Sequence, residues 1–247
     1  SEKEKWRNRI SNEIQLAVKV QENFLPKRNL ENYPVYGLNL AAREVSGDFF
    51  SFYPHNDSIY FIIADVAGKG IHAGMVMAKA STLFEVLAQS KVDPDEMVFH
   101  MNNDLNNTKT AGMFVTSIVG EYNLITDEIR WVNAGHQPAI LRNGQGKYDQ
   151  FESSAPPLGV IKQKDKSVYN IHKTKLNGSR FYAFTDGLSE SLNDKGEEIG
   201  IDGSIGIIEQ NYNKDTIKQL DNITKSVIGT SQNRKLSDDL TLISIGK

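Results

Sequence analysis

Apolar residues in the first 25 positions recur at alternating four- and three-residue steps, the spacing that aligns side chains on one face of an α-helix. The members of this stripe are Trp6, Ile10, Ala17, Val20 and Phe24. Glu13 interrupts the stripe, and Pro26 closes the helical pattern. A face this narrow fits two arrangements, a helix packed on its own domain or a helix paired with a second copy of itself.

Beyond residue 30 the pattern changes to short runs rich in aromatic and β-branched residues, which are typical of strands. The predicted strands cover 36–44, 48–53, 58–66, 113–124, 128–135, a hairpin within 138–151, 178–187 and 238–246. Helices are predicted at 70–90, at 93–106 and at 215–229. The first of these three is apolar on nearly every side, so it is expected to be buried.

Short turns between the strands imply antiparallel pairing, and the helices fall between groups of strands instead of alternating with each strand. The predicted fold class is therefore α+β, with helices covering antiparallel sheets. No repeat or internal linker follows residue 30. We expect an N-terminal helical segment at 1–30, one folded domain at 31–247, and an origin as the excised C-terminal part of a longer protein.

Composition and charge argue against several classes of function. The 247 residues are 39% hydrophobic and 24% charged with a net charge of -3, which gives no sign of a nucleic-acid or anionic-membrane partner. No uninterrupted apolar stretch approaches the roughly 18 to 20 residues of a membrane span, and no signal region begins the chain, so a cytoplasmic location is expected. The lack of Cys excludes thiol nucleophiles, Cys-based zinc sites and iron–sulfur clusters.

Aspartates stand beside the apolar strands at four places, where each alone would be an ordinary turn residue. These are Asp48, Asp65, Asp186 and the pair Asp238 and Asp239. If strand order brings them together at one sheet rim, each pair would repel by about 4 kcal/mol at ~4 Å, so the rim would need cations. Oxygen ligands without Cys favour Mg²⁺ or Mn²⁺, and two such ions roughly 3.5 to 4 Å apart would hold a shared hydroxide able to attack phosphorus.

Seven motifs follow one another in a fixed order along residues 36–247. They are "AREVSGDFF", "ADVAGKGIHAGM", "MFVTSIVGEY", "VNAGHQPAIL", "PPLGV", "FTDGLSES" and "SDDLTL". Together they resemble the metal-dependent Ser/Thr phosphatases of the type-2C class, and within it the bacterial SpoIIE/RsbU branch. The stretch "EIQLAVKVQENFLP" also looks like the helical segment that precedes the domain in that branch.

The resemblance implies a four-layer sandwich of two antiparallel β-sheets flanked by helices, with two Mn²⁺ or Mg²⁺ ions at one edge. Asp65 would bridge both metals, and the carbonyl of Val66 would bind one of them. Asp186 and Asp238 would complete the coordination of the other. Asp48 would bind a metal or hold a metal-bound water.

Five further residues have weaker assignments. Asp239 would contact the metal ligands without binding a metal itself. Arg43 matches the position of the class's phosphate-binding arginine, although an exposed strand arginine is the simpler interpretation. His136 is interpreted as a structural hydrogen-bonding residue. His72 could lie near the metals or simply be exposed at a helix end. Lys69 could meet phosphate, although a solvated turn lysine is the favoured interpretation.

The function implied by the resemblance is removal of phosphate from Ser or Thr without a phosphoenzyme intermediate. The substrate implied by the branch is a phosphorylated STAS-type anti-anti-sigma protein in a partner-switching pathway of sigma-factor regulation and stress response. A homodimer through the N-terminal helix is expected. Two alternatives remain: a catalytically silent binding module of the same fold, and another two-metal phosphoesterase such as a nuclease.

Overall fold

The structure is a computed structural model of the chain. It describes residues 1–22, 30, 32–42, 45–108, 110, 112–193, 195–228, 236 and 238–246. Phe24, Pro26 and Arg43, which carried parts of the sequence interpretation, lie outside the described residues.

The described residues contain six α-helices, one short 3₁₀ helix and ten strands. The α-helices are α1 Glu2–Glu22, α2 Ile71–Gln89, α3 Pro94–Asn107, α4 Asp186–Ser189, α5 Gly200–Gln210 and α6 Thr216–Ile228. The 3₁₀ helix is Lys166–Val168. The strands are β1 Val35–Leu40, β2 Phe49–His55, β3 Ser58–Val66, β4 Val115–Asn123, β5 Glu128–Ala134, β6 Ala139–Arg142, β7 Tyr148–Phe151, β8 His172–Lys175, β9 Arg180–Phe184 and β10 Leu240–Ile245.

The strands form two five-stranded sheets in which every pair is antiparallel. The first sheet has the order β1-β10-β9-β6-β7, and the second has the order β2-β3-β4-β5-β8. Alternation along β3 shows how they pack: Ile59, Phe61 and Ile63 belong to the core between the sheets, whereas Tyr60 and Ile62 belong to the core under α2 and α3. A third cluster packs the outer face of the first sheet against α5 and α6. The four-layer α+β sandwich is thus confirmed.

Several predicted element bounds differ from the structure, and some short elements were not predicted. β1 ends at Leu40 instead of reaching 44, and Asp186 opens the one-turn helix α4 instead of ending a strand. β8 was missed because its sequence, HKTK, is polar and charged. α5 was missed because three glycines fall within its eleven residues; its burial of Ser204 and Ile208 outweighs that weak propensity.

α2 is buried on one face only, contrary to the expectation that it is enclosed on all sides. Ala73, Met77 and Phe84 pack against the sheet, but Met75 is 68% exposed and Val86 is 56% exposed. By length and hydropathy, α2 is the only helix among the described residues that could cross a membrane. Its packing on β2, β3 and α3 makes it a core helix of this sandwich.

A candidate metal centre

The sheet register brings four of the predicted acids to one end of the sandwich. Phe49 pairs with Ala64 across β2 and β3, so Asp48 lies beside Asp65 at the edge of the second sheet. Asp186 follows β9 and Asp238 precedes β10, which are neighbours in the first sheet. The acids therefore come from both sheets, and the prediction of a single sheet rim is wrong in that respect. We call Asp48, Asp65, Asp186, Asp238 and Asp239 the acid rim.

Strand alternation explains why several of these side chains face inward. Asp65 is in phase with Phe61 and Ile63, whose side chains fill the space between the sheets, and Asp48 is in phase with Phe50. At this end of the sandwich the apolar interior thus gives way to carboxylates. Asp48 is 2% exposed, and Asp65 and Asp186 are half-buried.

Burial and repulsion from neighbouring carboxylates raise the pKa of three acids of the rim. Burial, reinforced by the charge of Asp65, raises the pKa of Asp48 well above its usual range. Burial and the charge of Asp186 raise the pKa of Asp65 to about 6. Burial and the charge of Asp238 raise the pKa of Asp186. The folded protein thus holds several carboxylates in an environment that disfavours their charge, as expected for a cation site.

Asp238 has a cationic neighbour. The Lys69 ammonium lies 2.7 Å from Asp238 Oδ2, with the Lys69 side chain half exposed. Lys69 is exposed in the β3–α2 loop, as the interpretation of a solvated turn lysine expects, and its ion pair with Asp238 also joins this loop to the start of β10. Glu190, at the end of α4, was overlooked in the sequence; burial and the charges of Asp186, Glu198 and Asp238 raise its pKa.

Asp239 has a different environment from the other acids. Its Oδ1 accepts the backbone N–H of Ala42 at 2.7 Å, and its Oδ2 accepts that of Gly47 at 3.0 Å. Both oxygens therefore fasten the loop before Asp48 to the start of β10. These contacts agree with a role in which Asp239 holds the loop before Asp48 in place instead of binding a cation itself.

Glycines allow the backbone to approach closely around the rim. A Cβ on Gly47 would lie 3.2 Å from the carbonyl oxygen of Val66, and a Cβ on Gly187 would lie 1.9 Å from the carbonyl oxygen of Asp239. Gly68 and Gly70, which follow Asp65, have φ values of 150° and 75°. This is a conformation that favours glycine, so the turn leading into α2 depends on these residues.

The donor set fits hard divalent cations. It contains carboxylates from both sheets and the Val66 carbonyl beside the side-chain-free Gly47, and such oxygens are the ligands that Mg²⁺ and Mn²⁺ prefer. Within the described part of the chain, no three carboxylate or imidazole groups already converge as a complete ion site. A cation would have to draw the carboxylates together against the present Lys69–Asp238 contact.

The two candidate histidines lie in different environments. His136 is buried, with Nδ1 2.9 Å from Thr116 Oγ1, and its backbone N–H donates to Asn133 Oδ1. Burial lowers the pKa of His136 to about 4, so the imidazole is neutral near pH 7. These contacts support the interpretation of His136 as a structural residue. His72 is exposed in the first turn of α2.

Solved structures define the class of this fold. The SiaA-PP2C domain of Pseudomonas aeruginosa superposes with a TM-score of 0.84 over 98% of both chains, at 16% identity. RsbX in complex with magnesium superposes with a TM-score of 0.62 over 87% of this chain and 96% of its own, at 20% identity. The sandwich therefore has the PP2C-type fold.

Sequence comparison identifies the family. The model of the Stage II sporulation protein E (SpoIIE) family matches residues 55–246, and the chain belongs to this family. Phosphoserine phosphatase RsbU of Bacillus subtilis is 27% identical over 95% of this chain and 70% of its own length. Phosphoserine phosphatase RsbP of the same organism is 26% identical over 72% of this chain, which spans 45% of RsbP.

Proposed function

We propose that this chain is a Mn²⁺- or Mg²⁺-dependent protein-serine/threonine phosphatase. The observation that carries the proposal is the acid rim, where carboxylates from both sheets lie together and where burial and neighbouring carboxylates raise the pKa of Asp48, Asp65 and Asp186. Membership of the SpoIIE family and likeness to two proteins named phosphoserine phosphatases support this reaction over other uses of such a site.

The residues have distinct roles in this proposal. Asp65, Asp186 and Asp238 would hold two cations together with the Val66 carbonyl, and Asp48 would bind a cation directly or through water. When bound, the cations would supply Lewis acidity and would lower the pKa of water at the site. The inward-facing position of Asp48 and Asp65, at the end of an apolar core, keeps these carboxylates in a fixed, poorly solvated place.

The substrate proposed is a phosphorylated STAS-type anti-anti-sigma protein in a partner-switching pathway, in the cytoplasm. This rests on the SpoIIE/RsbU resemblance and on the likeness to RsbU. Arg43 remains the proposed phosphate-binding residue. The division into a helical segment at 1–30 and a phosphatase domain at 31–247 also remains a proposal.

A homodimer through α1 is part of the proposal. Trp6 is 66% exposed and Val20 is 58% exposed on this helix. The groove between α1 and α2 is apolar; its lining residues are Ala17, Val20, Val45, Ile71, Gly74, Met75 and Ala78. A second copy of α1 would cover surface that the domain itself leaves open.

Sedimentation of the intact chain tests the dimer. Trp6→Asp with Val20→Asp should give a monomer, whereas Asn8→Asp with Asn12→Asp adds the same charge away from the stripe and should leave a dimer. A monomeric parent, or a charged-stripe variant with the mass of the parent, would contradict it.

Turnover assays separate the proposed reaction from its alternatives. The intact chain should release phosphate from a phosphoserine peptide with Mn²⁺, release little without metal, and leave single-stranded DNA and RNA intact. A silent module would bind Mn²⁺ or the peptide without turnover. Metal-dependent cleavage of nucleic acid with an inert phosphopeptide would instead support a different phosphoesterase.

A further inference from the structure

Thr185 connects the two sheets inside the acid rim. It follows β9 in phase with Phe181 and Ala183, so its side chain faces the interior of the sandwich. It is completely buried, and its Oγ1 lies 2.6 Å from Asp48 Oδ2 on the opposite sheet. The contact therefore joins the end of the first sheet to a proposed metal ligand of the second.

The Thr185 hydroxyl makes a second hydrogen bond, to the neighbouring strand. The backbone N–H of Thr241, in β10, donates to Thr185 Oγ1 at 2.9 Å. A hydroxyl that accepts this bond still has one proton to give, and the structure directs it to Asp48. The 2.6 Å separation is in the range of hydrogen bonds from a hydroxyl to a charged carboxylate.

Asp48 is held at its backbone as well. Asn39 Nδ2 donates to the Asp48 carbonyl at 3.3 Å and to Thr241 Oγ1 at 2.7 Å, and Ser46 Oγ accepts the Asp48 N–H at 3.1 Å. These contacts fix where the residue stands. The bond from Thr185 also fixes the rotation of the Asp48 carboxylate, because it anchors Oδ2 and so sets the direction of Oδ1.

We propose that Thr185 is a positioning residue that orients the Asp48 carboxylate for a divalent cation. The inference rests on the proposed function, since it assumes that Asp48 serves the metal site. It extends that function to a hydroxyl outside the proposed ligand set. Groups that orient metal ligands typically change metal affinity by about 10- to 100-fold when they are removed.

Calorimetric titration of the intact chain with Mn²⁺ at pH 7 tests this proposal. Thr185→Val should weaken Mn²⁺ binding by about 10- to 100-fold. Thr185→Ser should stay within about threefold of the parent, because its hydroxyl can make the same two bonds. Thr216→Val, which removes the hydroxyl of a buried threonine in α6, should bind Mn²⁺ like the parent. If Thr185→Val does not fold by circular dichroism, Thr185→Ala takes its place with the same expected loss.

Two results would overturn the role of Thr185: parent-like Mn²⁺ affinity in Thr185→Val, or a loss in Thr185→Ser as large as that in Thr185→Val. Asp48→Asn, titrated alongside, separates this failure from failure of the metal site. Weak binding in Asp48→Asn with parent-like binding in Thr185→Val would reject only the positioning role. Parent-like binding in both would reject the assignment of Asp48 to the metal site.

Discussion

Two groups of charged side chains are balanced in opposite ways: one lies on the first sheet, and the other, the acid rim, comes from both sheets. On the outer face of the first sheet, Arg142 of β6 lies directly opposite Arg180 of β9 in the strand register. Glu209 accepts from Arg142 Nε at 2.7 Å and from Nη2 at 3.0 Å, and the Tyr212 ring stacks 3.5 Å from the Arg142 guanidinium carbon. Arg180 Nη1 donates to Gln219 Oε1 and to the Asn213 carbonyl. We call these residues the arginine cluster.

The acid rim lacks such compensation. Lys69 is half exposed and contacts Asp238, whereas burial and the charges of neighbouring carboxylates raise the pKa of Asp48 and of Asp65. In the arginine cluster, Glu209 of α5 neutralises Arg142, and neutral oxygens of Gln219 and Asn213 accept the hydrogen bonds of Arg180. These contacts fasten α5 and α6 to the sheet, so the role of the cluster is structural. In the acid rim, charge is left unbalanced at the end of the core. A cluster of like-charged carboxylates that the fold does not neutralise points to a bound cation.

Asp65→Asn should have the largest effect on activity and should separate the two groups most clearly. Loss of the proposed bridging carboxylate should reduce Mn²⁺-dependent hydrolysis of a phosphoserine peptide by more than about 100-fold. The metal-free protein should keep or gain stability, because one repelling charge is gone. Asp149→Asn, at an exposed position in β7, should retain activity. Substantial hydrolysis by Asp65→Asn would refute the metal assignment.

Gly187→Ala should disturb the rim without removing a ligand. Its Cβ would meet the backbone oxygen of Asp239 at 1.9 Å, so α4 and Asp186 would have to move away from β10. A displacement near 1 Å can cost about 100-fold in rate, and overpacking of this kind typically costs about 1–3 kcal/mol in unfolding free energy. The control is Gly206→Ala in α5, where a Cβ would have open space. We expect it to be active and up to about 1 kcal/mol more stable. Equal turnover in the two variants would contradict the proposed close fit.

His136 offers a third case, a buried titratable group that stays neutral. Its pKa is near 4 in the folded protein and about 6.5 when unfolded, so the folded state binds fewer protons between these values. Its contribution to stability is complete above pH 6.5 and is lost as pH falls toward 4, by about 3 kcal/mol.

The measurement is urea unfolding of the metal-free parent and His136→Asn between pH 7 and pH 4. Both proteins share the titrating acid rim, so its effect cancels in the difference between their unfolding free energies. This difference should shrink as the pH falls from 7 to 4, because only the parent loses the stability that neutral His136 contributes. His72→Asn, which replaces an exposed histidine, should show no such trend. A difference that is constant with pH would rule out the buried neutral state.

Glu209→Gln should affect stability alone. It removes the carboxylate that neutralises Arg142 in a partly exposed ion pair, so we expect a loss of about 1–3 kcal/mol in unfolding free energy. Phosphatase activity should be unchanged, and exposed Glu152→Gln should change neither quantity. Reduced activity in Glu209→Gln at full stability would show that the arginine cluster also serves the site.

Much of the fold was predictable because apolar periodicity determines most of its elements. β3 occupies 58–66 as predicted, and α2 and α3 lie within a residue of their predicted bounds. β8 and α5 were not predictable by this route, because their formation depends on tertiary contacts. β8 adds polar residues to the edge beside β5, and α5 has three glycines but packs on the first sheet.

The acids of the candidate site were predictable from their positions beside strands, but their surroundings were not. Alternation along β3 already places Asp65 on the same face as Ile63, a signal that could have shown it to be inward-facing. The Lys69–Asp238 contact joins residues 169 positions apart, and the Thr185–Asp48 bond joins residues 137 apart. Such contacts depend on how the two sheets face each other, which local sequence does not encode.

The most direct test of the acid rim as a cation site is the unfolding free energy of parent and Asp65→Asn, each measured with and without Mn²⁺. Binding to the folded state should stabilise the parent by about 2.7 kcal/mol at a Mn²⁺ concentration 100 times the dissociation constant. Asp65→Asn should gain little at that concentration. An equal gain in both proteins, or no gain in the parent at any Mn²⁺ concentration, would contradict the account.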